Sequence, residues 1–231
     1  MSDKNLIEVI ADRFSNLIKN LNQKFDMPTI ELSPDRLLEV CTALRDEPEF
    51  HFELLLDVCG VDYLEYGIGE WRTEETKNTG FSRGSQREIQ KKEMVWNKKQ
   101  PRFASVYHLL SLRHNHRLRI KVYLDSDSPT VPSVVTVWKS ANWYEREAFD
   151  LFGIVFEGHP DLRRLLTDYG FIGYPFRKDF PLIGKVELRY DATQQRCVYD
   201  PVSIQSRILV PKVVRSDNRY KSEKRKNGRD S

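Results

Sequence analysis

The sequence predicts a protein of the α+β class, with one folded domain followed by an extended C-terminal arm. Helix-like and strand-like apolar patterns fill the chain up to residue 152, whereas glycines and prolines interrupt nearly everything beyond it. A chain of 231 residues is long enough for one full domain with extensions. We therefore divide it into an α+β domain at 1–152, a partner-binding arm at 153–210 and a basic tail at 211–231.

The first fifty residues predict two helices and a short strand. Apolar residues recur every three or four positions over 4–21, which predicts one long helix. The segment 29–32 is typical of a brief strand. Ser33 and Pro34 then match the N-cap and the first position of a second helix, which should end before Pro48.

A buried strand and an insertion follow. Residues 50–63 are strand-like, and their continuous apolar middle indicates burial on both faces of a sheet. Residues 67–100 contain five acidic and eight basic residues but almost no aliphatic side chains. Because such a composition cannot bury a core, we expect an inserted surface loop there.

The rest of the domain predicts two strands and a long helix. The runs at 103–112 and 117–124 are strand-like, and Asn115 between them suits a tight turn. Apolar residues then recur at helical spacing up to residue 152. We expect this helix to begin at Ser133 and to end at Gly153, which suits a C-terminal cap.

Two short patterns stand out within the arm. Residues 160–170 are compatible with one short helix, and residues 186–202 with a hairpin. An arm of this length with so little structure is unusual in a free monomer, and its aromatic content argues against disorder. We therefore expect the arm to lie along a partner protein.

Composition excludes several classes of protein. Charged residues make up 31% of the chain and mean hydropathy is −0.58, which is typical of a soluble protein, and no run approaches the roughly 20 apolar residues of a membrane helix. Asp3, Glu8 and Asp12 argue against a secretory or import sequence. The tail at 211–231 has eight basic and three acidic residues, a net charge of +5, which is typical of a solvated terminus and also of a nucleic-acid-binding arm.

The cysteines and histidines do not predict a metal site. Cys41, Cys59 and Cys197 are too far apart to form a CxxC pair, so neither zinc nor a cysteine-ligated iron–sulfur cluster is indicated. We expect them to be reduced and buried in a protein that is not secreted. His114 and His116 lie among arginines that would repel a cation, which favours a basic turn over a metal site.

The sequence also lacks a recognisable catalytic motif. Glu147 and Asp150 would share a helix face as a carboxylate pair, but Arg146 stands four residues before Asp150, the spacing of an ordinary ion pair. Glycine-rich nucleotide-binding fingerprints and the nucleophile motif GxSxG do not occur in the sequence. Taken alone, the residues indicate a binding subunit without a cofactor of its own.

The charge-dense, aromatic stretch at 142–166 is the strongest candidate for a binding surface. A charged group buried between two proteins needs a complementary partner, so the charges in this stretch and just beyond it are candidate contacts. The predicted contact residues are Glu145, Arg146, Glu147, Asp150, His159, Arg163, Arg177 and Asp179.

The same stretch resembles the signature of a known family, the 30-kilodalton subunit of respiratory complex I, the NADH:ubiquinone oxidoreductase. The matching positions, at fixed spacing, are Glu145-Arg146-Glu147, Asp150-Leu151-Phe152, His159, Arg163 and Leu165-Leu166. The runs LLLDVCGVDY, VYHLLSLRHNHRLRIKV, GYPFRKDFPL and VELRYD are similar to the family as well. The likeness covers residues 1–66 and 102–203, whereas the insert and the segment after residue 203 depart from the family pattern.

The resemblance implies a two-layer domain of mixed sheet with packed helices, followed by the arm. It also implies a core subunit without catalytic residues that docks on the 49-kilodalton subunit at the quinone site. The parent enzyme carries FMN, iron–sulfur clusters and ubiquinone, and couples electron transfer from NADH to ubiquinone with proton translocation. The family binds none of these cofactors on this chain, which agrees with the scattered cysteines.

Three alternatives stay open from the sequence. The chain could be the equivalent subunit of a related membrane-bound hydrogenase or quinone reductase, a stand-alone enzyme with a hidden carboxylate or histidine site, or an RNA-binding module that uses the basic tail. The long insert and the tail favour the matrix side of the mitochondrial inner membrane. The alternative location is the cytoplasmic face of a bacterial inner membrane.

Overall fold

The computed structural model describes residues 3–24, 27–64, 66 and 101–203. Within them lie three α-helices: α1 (Asp3–Phe14), α2 (Leu37–Asp46) and α3 (Ala141–Phe152). The strands are β1 (Ile18–Lys24), β2 (Met27–Leu32), β3 (Leu54–Asp62), β4 (Phe103–Ser111), β5 (His116–Leu124), β6 (Thr130–Pro132), β7 (Val155–Glu157), β8 (Val186–Asp191) and β9 (Arg196–Pro201). The predicted insert at 67–100 and the basic tail lie outside the described residues.

Five strands form the main sheet, in the order β1-β2-β5-β4-β3. β2 runs parallel to β5, and the other neighbours are antiparallel, so the sheet is mixed. The two predicted strands around Asn115 are β4 and β5, and Asn115 makes their turn with φ 54°, in the left-handed region that asparagine tolerates.

The core lies on one face of this sheet. Leu118, Ile120 and Val122 of β5 are buried, and the arginines and lysine that alternate with them are on the opposite face. All three helices contribute to the same cluster, α1 through Phe14, for example, and α3 through Ala148. One layer of helices on one layer of sheet confirms the two-layer α+β fold.

The first predicted helix is wrong in its second half. Helix α1 ends at Phe14, and Leu17 to Leu21 pass into strand β1, which pairs with β2. Asparagines in this segment are poor helix formers, and Leu17, Ile18 and Leu21 pack against the core from the strand just as they would from a helix. The apolar residues suit both structures, so tertiary pairing decided between them.

Two further boundaries differ from the sequence expectation. The strand predicted at 50–63 is β3, which starts at Leu54 and lies at a sheet edge, and its burial alternates instead of covering both faces. Helix α3 begins eight residues later than Ser133, at Ala141. Residues before it form turns in which the indole Nε1 of Trp138 donates to the carbonyl of Phe52 at 3.0 Å.

Beyond α3 the chain first packs into the core of the domain through β7 and then continues as the arm. Gly153 ends α3 with φ 75°, as predicted for its cap. Strand β7 then pairs with β6, and Ile154 and Phe156 are buried in the core. The hairpin predicted at 186–202 is confirmed as β8 and β9. The short helix predicted at 160–170 is wrong, because that segment is irregular.

Candidate partner-binding site

Asp150 is the centre of the contacts that hold the arm to the domain. Its carboxylate lies at the end of α3, is fully buried, and accepts hydrogen bonds from the backbone N–H groups of Leu165, Leu166 and Thr167 at 3.0, 2.7 and 2.8 Å. These are N–H groups that a helix would use internally, which explains why residues 160–170 do not form one. Burial alone would raise the pKa of Asp150, but hydrogen bonds from Thr167, Leu166 and Arg164 outweigh it and lower this pKa to about 2.

Arg164 joins the contacts around Asp150. Together with the contacts of Arg146, His159, Arg177, Asp62 and Arg102 described below, we call them the anchor of the arm. One guanidinium nitrogen donates to the Asp150 carboxylate at 2.9 Å, and the other donates to the carbonyl of Gly173 at 3.0 Å. The guanidinium also lies 5.2 Å from the ring centre of Tyr174 and 5.9 Å from that of Phe171. One arginine therefore joins α3 to two separate parts of the arm.

Arg146 and His159 hold the beginning of the arm against α3. The Arg146 guanidinium is largely buried and donates to the backbone carbonyls of Arg163 and Arg164 at 3.2 and 3.3 Å. His159 accepts the N–H of Asp161 at Nδ1, so its proton is on Nε2, which donates to the carbonyl of Asn142 at 3.1 Å. Both side chains bond to backbone carbonyls of this chain.

Glu145 faces the opposite way, into the domain. It is fully buried, and its carboxylate accepts hydrogen bonds from the hydroxyl of Ser133 at 2.6 Å and from the N–H of Val134 at 2.7 Å. Burial raises the pKa of Glu145 to about 7, although these two hydrogen bonds oppose the shift. The carboxylate fixes the turn before α3.

Arg177 clamps the end of α3 against the arm. Its Nε donates to the carbonyl of Phe152 at 2.6 Å, and its guanidinium stacks 4.4 Å from the ring centre of Tyr174 and 4.9 Å from that of Phe103. A Cβ on Gly153 would lie 2.6 Å from the Arg177 guanidinium and 2.7 Å from the Tyr174 ring. The glycine therefore allows the arm to approach this closely.

A second buried carboxylate joins the arm to the sheet. Asp62, at the end of β3, accepts from Arg102 at 2.9 and 2.7 Å, and also from the N–H of Leu64 and of Lys178 at 2.9 Å. Arg102 also forms an ion pair with Asp179 at 3.0 Å. Burial opposes the shift, but the bonds from Arg102, Lys178 and Leu64 together lower the pKa of Asp62.

The eight predicted contact residues therefore fall into two groups. The structure places Glu145, Arg146, Asp150, His159 and Arg177 in bonds within the chain. Glu147 is half-buried, and Arg163 and Asp179 are exposed, where each forms an ion pair within the chain. A contact role with a partner remains a prediction for all eight.

Sequence reasoning missed three residues of the anchor. Arg164 lies in the charge-dense stretch but is not among the predicted contacts, because it falls between two signature positions, Arg163 and Leu165. Asp62 and Arg102 lie 40 residues apart, on either side of the insert, so no local pattern connects them. Only the pairing of β3 with β4 brings them together.

The anchored arm exposes an unusual amount of apolar surface. Seventeen large apolar side chains are exposed among the described residues, and ten of them lie in the arm beyond strand β7. Soluble monomers seldom leave such a set uncovered. The ten are Leu166, Tyr169, Ile172, Phe176, Leu182, Ile183, Val186, Leu188, Tyr190 and Tyr199.

One group of side chains in the domain has the composition of a metal site. Ligand atoms of Asp57, Cys59 and His108 lie within 4.8 Å of one another on the open face of the sheet. However, the guanidinium of Arg119 donates to Nε2 of His108 at 3.0 Å, and burial raises the pKa of Cys59 to about 11, which keeps its thiol protonated. The neighbouring guanidinium disfavours a bound cation at this position.

The three cysteines differ in their exposure. Cys41 is buried and Cys59 is half-buried, but Cys197 is exposed, so the expectation that all three are buried is wrong for Cys197.

The helices show no membrane-spanning character: in the part of the chain that the structure describes, none is long and apolar enough to cross a bilayer.

The fold and the site define the class of protein: an α+β domain with an arm that buried charged side chains hold against it. The model of the family "Respiratory-chain NADH dehydrogenase, 30 Kd subunit" matches residues 30–186. An NADH-quinone oxidoreductase subunit of Coxiella burnetii is 70% identical over 223 residues, covering 96% of this chain and 97% of that protein. The subunit of the same name from Legionella pneumophila is 57% identical and covers 93% of each chain.

A solved structure shares the fold at low sequence identity. A chain of the membrane-bound sulfane sulfur reductase, an archaeal respiratory membrane complex, is 19% identical with a TM-score of 0.54, covering 78% of this chain and 86% of that one.

On the family model and the bacterial relatives, this protein belongs to the family of the 30 Kd subunit of respiratory-chain NADH dehydrogenase, which confirms the resemblance seen in the sequence.

Proposed function

We propose that this chain is a core subunit of an NADH:quinone oxidoreductase that docks on the 49-kilodalton subunit and stabilises its quinone site. The observation that carries the proposal is the arm. Buried charged side chains hold it in one conformation, and ten large apolar side chains beyond β7 are nevertheless exposed to solvent. A rigid arm loses little conformational entropy on binding, so its apolar surface is available for association.

In this proposal the chain contributes structure and no catalytic residue. FMN, the iron–sulfur clusters and ubiquinone belong to other subunits, which transfer electrons from NADH to ubiquinone and translocate protons. Binding along the arm keeps the quinone-site subunit at a fixed distance from the remaining redox centres.

The two groups of predicted contact residues have different roles in the proposal. Asp150, Arg146 and Glu145 fix the shape of the arm and of α3 from inside the chain. Arg163 and Asp179 are exposed and available to a partner. The ion pair of Arg163 with the exposed Asp161 contributes little, and Asp179 is the exposed member of its pair with Arg102.

We place the complex at the cytoplasmic face of a bacterial inner membrane. Both relatives described above are bacterial, which supports this location over the mitochondrial inner membrane that the insert and tail had favoured. The chain would reach the membrane through its partners.

A native gel of mildly solubilised membranes tests the proposal. The gel is stained for NADH dehydrogenase activity and probed for this chain with an antibody. We expect the chain to comigrate with a large active band and to copurify with the 49-kilodalton subunit. A chain found at low mass alone, apart from the active band, would contradict the proposal and reopen the free-enzyme and RNA-binding alternatives.

A further inference from the structure

The hairpin of β8 and β9 has two chemically different faces. Its register pairs Val186 with Pro201, Leu188 with Tyr199 and Tyr190 with Cys197. Because alternate residues of a strand point to the same side, these six side chains form one face, which carries no charge. We call it the apolar hairpin face.

The opposite face of the hairpin is charged. It pairs Glu187 with Asp200 and Asp191 with Arg196, and Arg189 forms an ion pair with Asp200 at 2.6 Å. Five of the six side chains on this face are charged, and Val198 is the sixth. Glu187 and Asp200 carry like charges, but the Arg189–Asp200 ion pair and the pairing of Asp191 with Arg196 join opposite charges across the hairpin, which suits a face in contact with water. The two faces therefore differ in the environment that each requires.

The apolar hairpin face is uncovered. The side chains of Val186, Leu188, Tyr190 and Tyr199 are 51% to 61% exposed, and the thiol-bearing Cys197 is exposed as well. An isolated two-stranded hairpin is marginally stable in water and needs packing against another element. Within the described part of the chain these side chains remain more than half exposed, so the packing there is incomplete.

The size of the face indicates what covers it. Two strands of six residues extend about 20 Å and span about 10 Å, so one face covers on the order of 200 Å². A stable interface buries about 800 Å² on each partner, so this face alone is too small to hold two copies of the chain together. It needs a partner that covers neighbouring surface at the same time.

Neighbouring apolar surface is present on the arm. The hydroxyl of Tyr199 lies 3.3 Å from the position that a Cβ on Gly170 would occupy. The loop around Gly170 carries Tyr169 and Ile172, which are 92% and 86% exposed. The apolar hairpin face is therefore continuous with the exposed part of the arm.

We propose that the apolar hairpin face is a docking surface for an uncharged, apolar surface of a partner subunit, while the charged face stays in water. This inference rests on the proposed function, since it names the part of the arm that the partner covers. Tyr190 and Tyr199 would bury their rings and direct their hydroxyls to acceptors at the rim of the contact. Cys197 lies on this face opposite Tyr190, next to the turn of the hairpin, and becomes inaccessible on assembly.

Alkylation of Cys197 in the assembled complex tests the inference. Membranes are solubilised mildly, the NADH dehydrogenase complex is isolated, and a maleimide is added before and after denaturation in urea. Mass spectrometry of the Cys197 peptide gives the fraction labelled. We expect Cys197 in the native complex to react at least about tenfold more slowly than in the free chain, because reaction requires access to the thiol.

A cysteine on the charged face is the matched control. Arg196→Cys in a Cys197→Ala background places the thiol one residue away but on the opposite side of β9. We expect it to react equally in the free chain and in the complex. Equal reaction of Cys197 in both states overturns the inference, and protection of both thiols overturns the claim that one face alone is covered.

A pair of substitutions tests the same surface by assembly. Leu188→Asp puts a charge on the apolar face and should lower incorporation into the complex at least about tenfold, because an unpaired charge would be buried. Val198→Asp, on the other face and opposite Arg189, should leave incorporation unchanged. Normal incorporation of Leu188→Asp contradicts the inference.

These outcomes separate the inference from the proposed function. If the wild-type chain comigrates with the active complex but Cys197 stays reactive there, the function stands and the docking surface is wrong. If the wild-type chain does not comigrate, the proposed function fails before the labelling is interpreted. Protection with comigration supports both.

Discussion

At the scale of single residues, the most informative group is the Asp150 carboxylate. It is placed by α3 and accepts three consecutive backbone N–H groups, so it replaces the hydrogen bonds that those residues would otherwise make in a helix. A charged acceptor of this kind gives short, strong hydrogen bonds. One side chain therefore determines the path of the arm over several residues.

Asp150→Asn should detach the beginning of the arm. The amide has a single acceptor oxygen in place of two, and buried N–H donors left without an acceptor each cost about 1–3 kcal/mol, so we expect a loss of about 2–4 kcal/mol in the free energy of unfolding. Urea denaturation measures this loss, and limited proteolysis locates it.

The matched control for this prediction is Glu147→Gln on the same helix. Glu147 is half-buried, and in the structure its carboxylate does not anchor the arm, so the variant should remain within about 0.5 kcal/mol of wild type. Equal stability of Asp150→Asn and Glu147→Gln would show that the carboxylate does not hold the arm.

Glu145 predicts a pH dependence of stability. Burial raises its folded-state pKa to about 7, above the ordinary value of 4.5, so folding favours the protonated form. The stability that this preference contributes is fully present below about pH 4.5 and is lost as pH rises through about 7. Glu145→Gln cannot titrate, so it removes this part of the pH dependence.

The difference between wild type and Glu145→Gln isolates that one group. We expect the stability of wild type relative to the variant to fall by about 2 kcal/mol between pH 5 and pH 8, measured by denaturation at each pH. Other titrating groups affect both proteins and cancel. A difference that stays constant over this range would contradict the raised pKa.

At the scale of elements, the end of α3 limits how closely the arm can approach. Gly153 and Gly158 both have positive φ, 75° and 79°, so a side chain at either position is strained by the backbone. A Cβ at Gly153 would also overlap Arg177 and Tyr174, whereas a Cβ at Gly158 meets nothing within 4 Å. Substitutions at the two glycines therefore distinguish the cost of backbone strain from the cost of overlap with neighbouring side chains.

Substitution of both glycines by alanine tests this difference. Gly158→Ala should cost about 1–2 kcal/mol of stability, the usual cost of left-handed backbone for a residue with a Cβ. Gly153→Ala should cost at least about 1 kcal/mol more, because Arg177 and Tyr174 must move. Thermal unfolding of both variants gives the comparison, and equal costs would mean that the Arg177 clamp is loose.

At the scale of the whole molecule, assembly into the complex should depend on the buried charged side chains that hold the arm. Arg146→Glu places an acceptor where two backbone carbonyls need a donor, so the arm should lose its path and the chain should not incorporate stably into the complex. We expect less than about a tenth of the wild-type amount in the active band of a native gel.

A charge reversal elsewhere controls for the change of charge itself. Arg36→Glu lies at the start of α2, where Arg36 is exposed and pairs only with Glu39, three residues later, among the described residues. This variant should assemble normally, since exposed ion pairs contribute little. Normal assembly of Arg146→Glu, in contrast, would contradict the role of the anchor.

Much of the fold could be predicted from local patterns. Strands β4 and β5, the turn at Asn115, the cap at Gly153 and the final hairpin follow from alternation and turn chemistry. The predictions failed where one pattern suits two structures. The apolar residues of 18–24 could be buried by a helix or a strand, and pairing with β2 decided the outcome.

The candidate site was predicted as a set of residues, but the direction of their contacts was not. The sequence indicated Glu145, Arg146 and Asp150 because charge is dense there, and it could not show that their bonds close within the chain. Arg102 and Asp62 gave no signal, because the insert separates them along the sequence and only strand pairing joins them in space.

By itself the sequence determined the α+β class, the family and the presence of an arm, since these depend on residue spacing and composition. Only the tertiary structure decided which charges are buried inside the chain and which side chains remain for a partner. The physical reason is that a buried carboxylate needs donors from distant segments, and their positions are fixed only when the sheet and α3 have assembled.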